Sequence, residues 1–163
     1  MSEDKSPSVV PSQVPIEEVE TPELTAFVDY WESIKDGAFA PSWKKFDMMS
    51  LDLKSVPYVV VADVLCDPLN FMIRFWGTGH MARKGAEKTG KLLNDAPDFR
   101  GQTAFDEYSF VVNEKKPLAS RDMVNLQDFS SMMPFEQILV RLPLSDDGEN
   151  VHHVISLAVW EKI

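Results

Sequence analysis

The chain has 163 residues, with 16 Lys and Arg against 26 Asp and Glu, a net charge of −10, 44% hydrophobic residues and one cysteine, the profile of one globular domain with a polar extension. One cysteine excludes an internal disulfide and a cysteine-built zinc site, which points to a reducing cytoplasmic setting, and no apolar run reaches the roughly 18 to 20 residues of a membrane span or the apolar centre of a signal peptide. The acidic balance opposes phosphate backbones and anionic lipid, because both are held by clustered Lys and Arg, so neither nucleic acid nor membrane is an expected partner.

Residues 1 to 23 hold four prolines (Pro7, Pro11, Pro15, Pro22) and six acids against Lys5 alone. Such a segment has too little apolar area to offset the entropy of ordering it, so residues 1–20 are read as a disordered acidic tail and residues 21–163 as a single domain. Thr21-Pro22-Glu23 is a helix start: a hydroxyl cap, a proline whose missing N–H is not needed, and an acid at the positive end of the dipole. The helix is expected over 22–36. Leu24, Phe27, Val28, Trp31 and Ile34 share one face, and Gly37 supplies the stop. This five-residue stripe exceeds what the domain's own sheet is expected to cover, so it is assigned as the interface of a homodimer.

Pro57 opens PYVVVADVL, a β-branched strand. Asp67-Pro68 makes the turn, and LNFMIRFWG alternates, with Phe71, Ile73 and Phe75 on one face and Met72, Arg74 and Trp76 on the other, so the pair is an antiparallel hairpin. Short helical segments over 78–87, a capped turn at Thr89–Asn94 and a helix at 102–114 follow, the last with Phe105, Tyr108, Val111 and Val112 at helical spacing. Strands return at PLASRDMVNL, PFEQILVRLPL and NVHHVISLAVWEKI, the last two joined by Ser145-Asp146-Asp147-Gly148. Helix, two strands, helices and three strands give an α+β class with a five-stranded antiparallel sheet.

Several short motifs carry a resemblance: Asp29-Tyr30-Trp31-Glu32, Ala40-Pro41-Ser42, Ile73-Arg74-Phe75-Trp76-Gly77-Thr78 leading through Gly85 to Thr89-Gly90-Lys91, and Leu142-Pro143-Leu144-Ser145 with Asp147-Gly148. Over about residues 24 to 160 the chain resembles a PAS-type family of stand-alone bacterial proteins, mostly alphaproteobacterial and formerly listed as a domain of unknown function. The resemblance implies a five-stranded sheet with short helices inserted between its second and third strands, and a sensory or protein-interaction role. It carries over no catalytic residue. The family commonly has Arg after Pro-Ser where this chain has Trp43, and Asp47 stands without the proline that tends to follow.

Gly77-Thr78-Gly79-His80-Met81-Ala82 fits G-x-G-x-x-A between a strand and a helix, but the parallel strand ending in an acid that a dinucleotide site requires does not follow, so it reads as a tight turn. His152 and His153 are adjacent in a strand and face opposite ways, which denies them a shared metal. His80 alone makes a poor case for a haem ligand. Cys66 has no basic neighbour in sequence and reads as an inert thiol. Arg74 and Arg141 interrupt apolar strands and must find a carboxylate, a carbonyl or a ligand; Glu136 and Asp122 are the candidate structural partners.

The leading reading is a non-catalytic cytoplasmic sensor or interaction domain that signals through a protein partner, with any small-molecule cavity bounded by Phe75, Gly77, His80, Met81, Phe105 and Leu139. Arg141 is its expected polar anchor, because Leu139, Arg141 and Pro143 share a face while Ile138, Val140, Leu142 and Leu144 form a wholly apolar one. The enzyme alternative is a small α+β cone-shaped hydrolase, isomerase or dehydratase with His80 as base oriented by Asp63. A third reading leaves the core filled and only the surface functional.

Overall fold

The computed structural model describes residues 12–85, 87–93 and 99–163, without the side chains of 99–101. The elements are β1 (Gln13–Val14), α1 (Pro22–Ser33), β2 (Val59–Leu65), β3 (Asn70–Trp76), α2 (Thr78–Lys84), α3 (Phe99–Glu114), β4 (Leu118–Asp128), β5 (Ser131–Leu144) and β6 (His153–Lys162). All described strand pairs are antiparallel, in the order β1-β4-β5-β6-β2-β3. The five long strands, with α2 and α3 inserted between the second and third of them, make the α+β, PAS-like arrangement that the element order implies. Antiparallel pairing throughout also removes the dinucleotide reading of Gly77–Ala82.

The sixth strand comes from the segment read as tail. Residues 1–11 lie outside the described residues, whereas Gln13 and Val14 pair with Ser120 and Ala119, and the Arg121 N–H donates to the Ser12 carbonyl. A single 3-10 turn at Ile16–Glu18 then brings Val19 into the core. The boundary drawn at residue 20 is therefore too late: Val14, Ile16 and Val19 supply enough apolar area to anchor the segment, although its overall composition is polar.

α1 also differs from expectation. It ends at Ser33, earlier than residue 36, and the Thr21 hydroxyl makes no capping bond. Leu24, Phe27 and Trp31, at most 1% exposed, are buried within their own chain, and Val28 and Ile34 pack at the margin of the same cluster. Their partners are Val140 and Leu142 of β5, Ile155 and Leu157 of β6, and Phe46 from the long connection to β2. The assignment of this stripe to a homodimer interface is corrected: the sheet presents a full apolar face of its own, and the helix covers it. The Trp31 Nε1–H donates to the Pro143 carbonyl at 2.8 Å, and the Ser145 N–H donates to the Pro41 carbonyl at 2.9 Å. The Trp31, Pro41 and Leu-Pro-Leu-Ser motifs thus meet at the end of β5, where they hold the α1 connection to the sheet.

Between Val61 and Ala62 the β2–β3 register shifts, so that Val61 faces Phe75 while Ala62 faces Ile73. Arg74 is the extra residue of this bulge, and side-chain alternation changes phase across it. Phe71 and Ile73 pack with Tyr108, Phe110 and Val111 of α3, and Trp76 joins them, whereas Phe75 packs on the α1 side. The expected common face of Phe71, Ile73 and Phe75 is broken by that one residue.

Candidate functional site

Between the sheet and the inserted helices lies a cavity of about 380 Å³, within the usual range of small-molecule sites. Val60, Ile73, Val124, Leu126, Leu139 and Ala158 give it an apolar wall, Tyr58, Trp76 and Tyr108 give aromatic surfaces, and His80, Glu107, Asp122, Asn125, Gln137, Arg141 and Ser156 are its polar groups, with Lys84, Lys88 and Lys91.

His80 owes its place to the start of α2. Gly77 has an ordinary negative φ, but a side chain there would put a Cβ 2.1 Å from the Pro57 carbonyl oxygen, and one at Gly79 would meet the Tyr58 ring at 2.5 Å. These glycines provide space, not left-handed backbone, and the first turn of α2 seats directly on Pro57 and Tyr58. His80 Nε2 then lies 2.8 Å from the Tyr58 carbonyl oxygen. A carbonyl only accepts, so Nε2 carries the proton. Burial, reinforced by the Lys84 charge and only partly opposed by the Tyr58 bond, pushes the His80 pKa down to about 3. The ring is neutral at pH 7, Nδ1 is a lone-pair acceptor, and this buried nitrogen has no hydrogen-bond partner among the described residues. Leaving such an acceptor unmet costs about 1–3 kcal/mol.

Arg141 on β5 is buried and already paired. Its Nε and Nη2 each lie 2.7 Å from Glu107 Oε1 on α3, its Nη1 donates to Ser156 Oγ at 2.9 Å, and its guanidinium carbon sits 4.3 Å from the Tyr108 ring centroid. The carboxylate that answers Arg141 is therefore Glu107, from the buried stripe of α3; the cross-strand candidate Glu136 pairs with Arg121 instead, at 3.3 Å. Arg141 lines the cavity, and the guanidinium expected to anchor a ligand there is already half of an ion pair with Glu107.

The lysine side is built from the other edge. The Gly90 N–H donates to the Ile73 carbonyl at 2.7 Å and the Ile73 N–H donates to the Lys91 carbonyl at 3.0 Å, while Leu92 bridges to Met72. The Thr89-Gly90-Lys91 motif is thus a strap on the outer edge of β3, and it brings Lys88 and Lys91 to the cavity. The ammonium groups of Lys84 and Lys88 lie 5.1 and 5.8 Å from the Trp76 ring centroid, within cation–π range.

Of the residues expected to bound the cavity, His80, Leu139 and Arg141 line it. Phe75 lies on the α1 side because of the bulge. Gly77 is a packing residue behind α2, Met81 is an exposed residue of that helix, and Phe105 packs edge-on against Phe71 at 5.4 Å. The His80–Asp63 pair of the enzyme alternative is not assembled. Asp63 Oδ1 lies 2.7 Å from Arg74 Nε and 2.8 Å from His153 Nδ1, and His80, neutral and bonded to a backbone carbonyl, is a weak base without an orienting acid. Trp43, standing where the resembled family has arginine, packs 5.7 Å from the His153 ring in that same cluster. Cys66 is exposed in the β2–β3 turn and does not line the cavity.

Sequence reading missed Trp76, Glu107 and the three lysines. Glu107 had a signal, since it falls on the same helical stripe as Ala104, Tyr108 and Val111, where a carboxylate requires a buried cation. No helix among the described residues is long and apolar enough to cross a membrane, and no described group of His, Cys, Asp and Glu has the makings of a metal site.

No protein-family model matches the chain, and no curated protein matches it. Among solved structures it is similar to a fungal LOV domain photoreceptor at 14% identity and a TM-score of 0.41, over 85% of this chain and 91% of that chain.

Proposed function

We propose that this chain is a non-catalytic, cytoplasmic PAS-type sensory module, akin to the stand-alone alphaproteobacterial family its motifs resemble, which binds a small molecule in the cavity and signals through protein contact. One observation carries the reading: a buried Arg141–Glu107 pair and the buried His80 ring stand on the wall of a 380 Å³ cavity. A fold that needed only a core would gain by filling that space with apolar side chains, because voids and unmet buried polar groups both reduce stability. The protein-contact part is supported by Met132, which is both a wall residue of the cavity and 59% exposed, close in sequence to Phe129, 94% exposed at the tip of the β4–β5 hairpin. An occupant of the cavity would touch a side chain that a partner could also touch.

Native mass spectrometry of protein purified from cells tests the reading, with Ala158→Phe as the variant that fills the cavity. A retained small molecule in the wild type, lost in Ala158→Phe while both chains stay folded, supports it. A wild type that carries nothing, and whose melting temperature no small-molecule library shifts, overturns it.

A further inference from the structure

Asp63, Arg74, His153 and Asp146 take no part in the cavity wall and form a cluster where distant segments meet. Arg74 Nε on β3 donates to Asp63 Oδ1 on β2 at 2.7 Å, and Nδ1 of His153, at the start of β6, lies 2.8 Å from that same oxygen. Across the ring, His153 Nε2 lies 3.2 Å from Oδ2 of Asp146 in the β5–β6 connection. The other Asp146 oxygen, Oδ1, accepts the Trp43 N–H at 3.2 Å, which ties in the connection between α1 and β2.

An ionised carboxylate only accepts, so a ring nitrogen that bonds one must carry a proton. Two such bonds need both ring protons, and a neutral imidazole has one. We propose that His153 is a proton-operated latch: the charged ring holds Asp146 against β6, and the neutral ring lets it go, which gives the module a proton as a second input beside the cavity.

The surroundings decide which bond survives. The Asp63 side chain is 21% exposed and fixed by Arg74, whereas that of Asp146 is 48% exposed and its contact is the longer one. The remaining proton therefore stays on Nδ1, and Nε2 turns a lone pair toward the Asp146 carboxylate, which repels it. Trp43 then loses its acceptor. The Ser145 N–H still holds the Pro41 carbonyl, so the connection loosens at Trp43 without leaving the sheet. His152 acts on Asp146 with the opposite sign: its Nδ1 accepts the Asp146 N–H at 2.9 Å, and a proton there would displace that bond in acid. Asp147 lies 3.7 Å from His152 Nε2 and belongs to that second histidine.

The experiment is nitrogen NMR of the full chain from about pH 5.5 to about pH 8.5, across the range where histidine changes charge, following both ring nitrogens of His153 and the exchange protection of the Trp43 amide. At the acid end both nitrogens should carry protons. At the alkaline end only Nδ1 should, and Trp43 protection, corrected for the intrinsic pH dependence of exchange, should fall about three- to tenfold, the worth of its hydrogen bond. Asp146→Asn reverses the sign: its amide N–H donates to the neutral ring while its oxygen still accepts from Trp43, so protection should fall toward acid instead. A His153 ring whose protonation is the same across the range overturns the latch, as does Trp43 protection that follows the His152 ring. An Asp146→Asn chain that loosens toward alkali, as the wild type should, also overturns it. None of these outcomes bears on the cavity, which is tested by retained ligand alone.

Discussion

On the α1 face of the sheet, Leu24, Phe27 and Trp31 meet Val140, Leu142, Ile155 and Leu157, and the polar atoms at its margin are satisfied by bonds such as Trp31 Nε1–H to the Pro143 carbonyl. On the opposite face the same strands present Leu139, Arg141, Ser156 and Ala158 to a cavity that α2 and α3 roof without filling. One strand serves both, since alternate residues of β5 point to opposite faces. The difference separates two duties: one face provides stability, and the other keeps unfilled volume and a polar pair that stability alone does not require.

The largest effect should come from opening the filled face. Trp31→Ala removes a fully buried indole and orphans the Pro143 carbonyl, and should cost about 4–6 kcal/mol in urea unfolding, the sum of a large core cavity and an unmet acceptor. Trp31→Glu should unfold the chain. A folded Trp31→Glu protein that merely changes from dimer to monomer in light scattering would return the helix to the interface role its sequence suggested.

Breaking the polar pair on the cavity face comes next. Glu107→Ala leaves the Arg141 guanidinium buried beside Ser156 and Tyr108 with no carboxylate, which should cost about 3–5 kcal/mol. The double change Arg141→Met/Glu107→Leu removes both charges and should fall within about 1–2 kcal/mol of the wild type. If Glu107→Ala cost no more than that double variant, the pair would not be energetically coupled.

How far each face was legible follows from the range of the interactions that make it. The split of Leu139 and Arg141 from Ile138, Val140, Leu142 and Leu144 could be read because β5 runs without interruption, and an unbroken strand obeys period two. The same rule failed one hairpin away, where Arg74 forms a bulge and moves Phe75 to the α1 side; a bulge depends on the partner strand and leaves no mark in the residue pattern. The α1 stripe was visible as apolar spacing, but spacing does not say which surface it covers. Lys88 and Lys91 reach the cavity because Gly90 and Lys91 return to Ile73 across the fold, and nothing in the local sequence of a polar loop announces such a return.

A smaller effect should separate the faces by pH. Burial holds His80 at about 3 in the folded chain against an ordinary value of 6.5. Between these values the unfolded chain binds a proton that the folded chain does not, so stability falls as pH drops below 6.5, by about 1.4 kcal/mol per pH unit. From pH 6.5 to 5 this amounts to about 2 kcal/mol, above the range where ordinary carboxylates take up protons. His80→Gln keeps an N–H for the Tyr58 carbonyl and removes the titration, so its stability should decline by about 2 kcal/mol less than the wild type over that interval. The remaining histidines are common to both proteins, and equal slopes would mean that His80 is not held neutral.

The smallest effect tests where the filled face begins. A disordered tail through residue 20 would make Val19→Ala silent, because an exposed side chain in an unstructured segment loses nothing on truncation. Here Val19 is 7% exposed and belongs to the α1-side core, beyond the point where Gln13 and Val14 join β4. Truncation removes two methyl-sized groups at about 0.8 kcal/mol each, so urea unfolding should show a loss of about 1.5 kcal/mol. The edge of β4 next to β1 should lose amide exchange protection in step, since Val19 holds the turn that seats that strand. A loss near zero, with the Arg121 amide exchanging as before, would place the domain boundary back at residue 20.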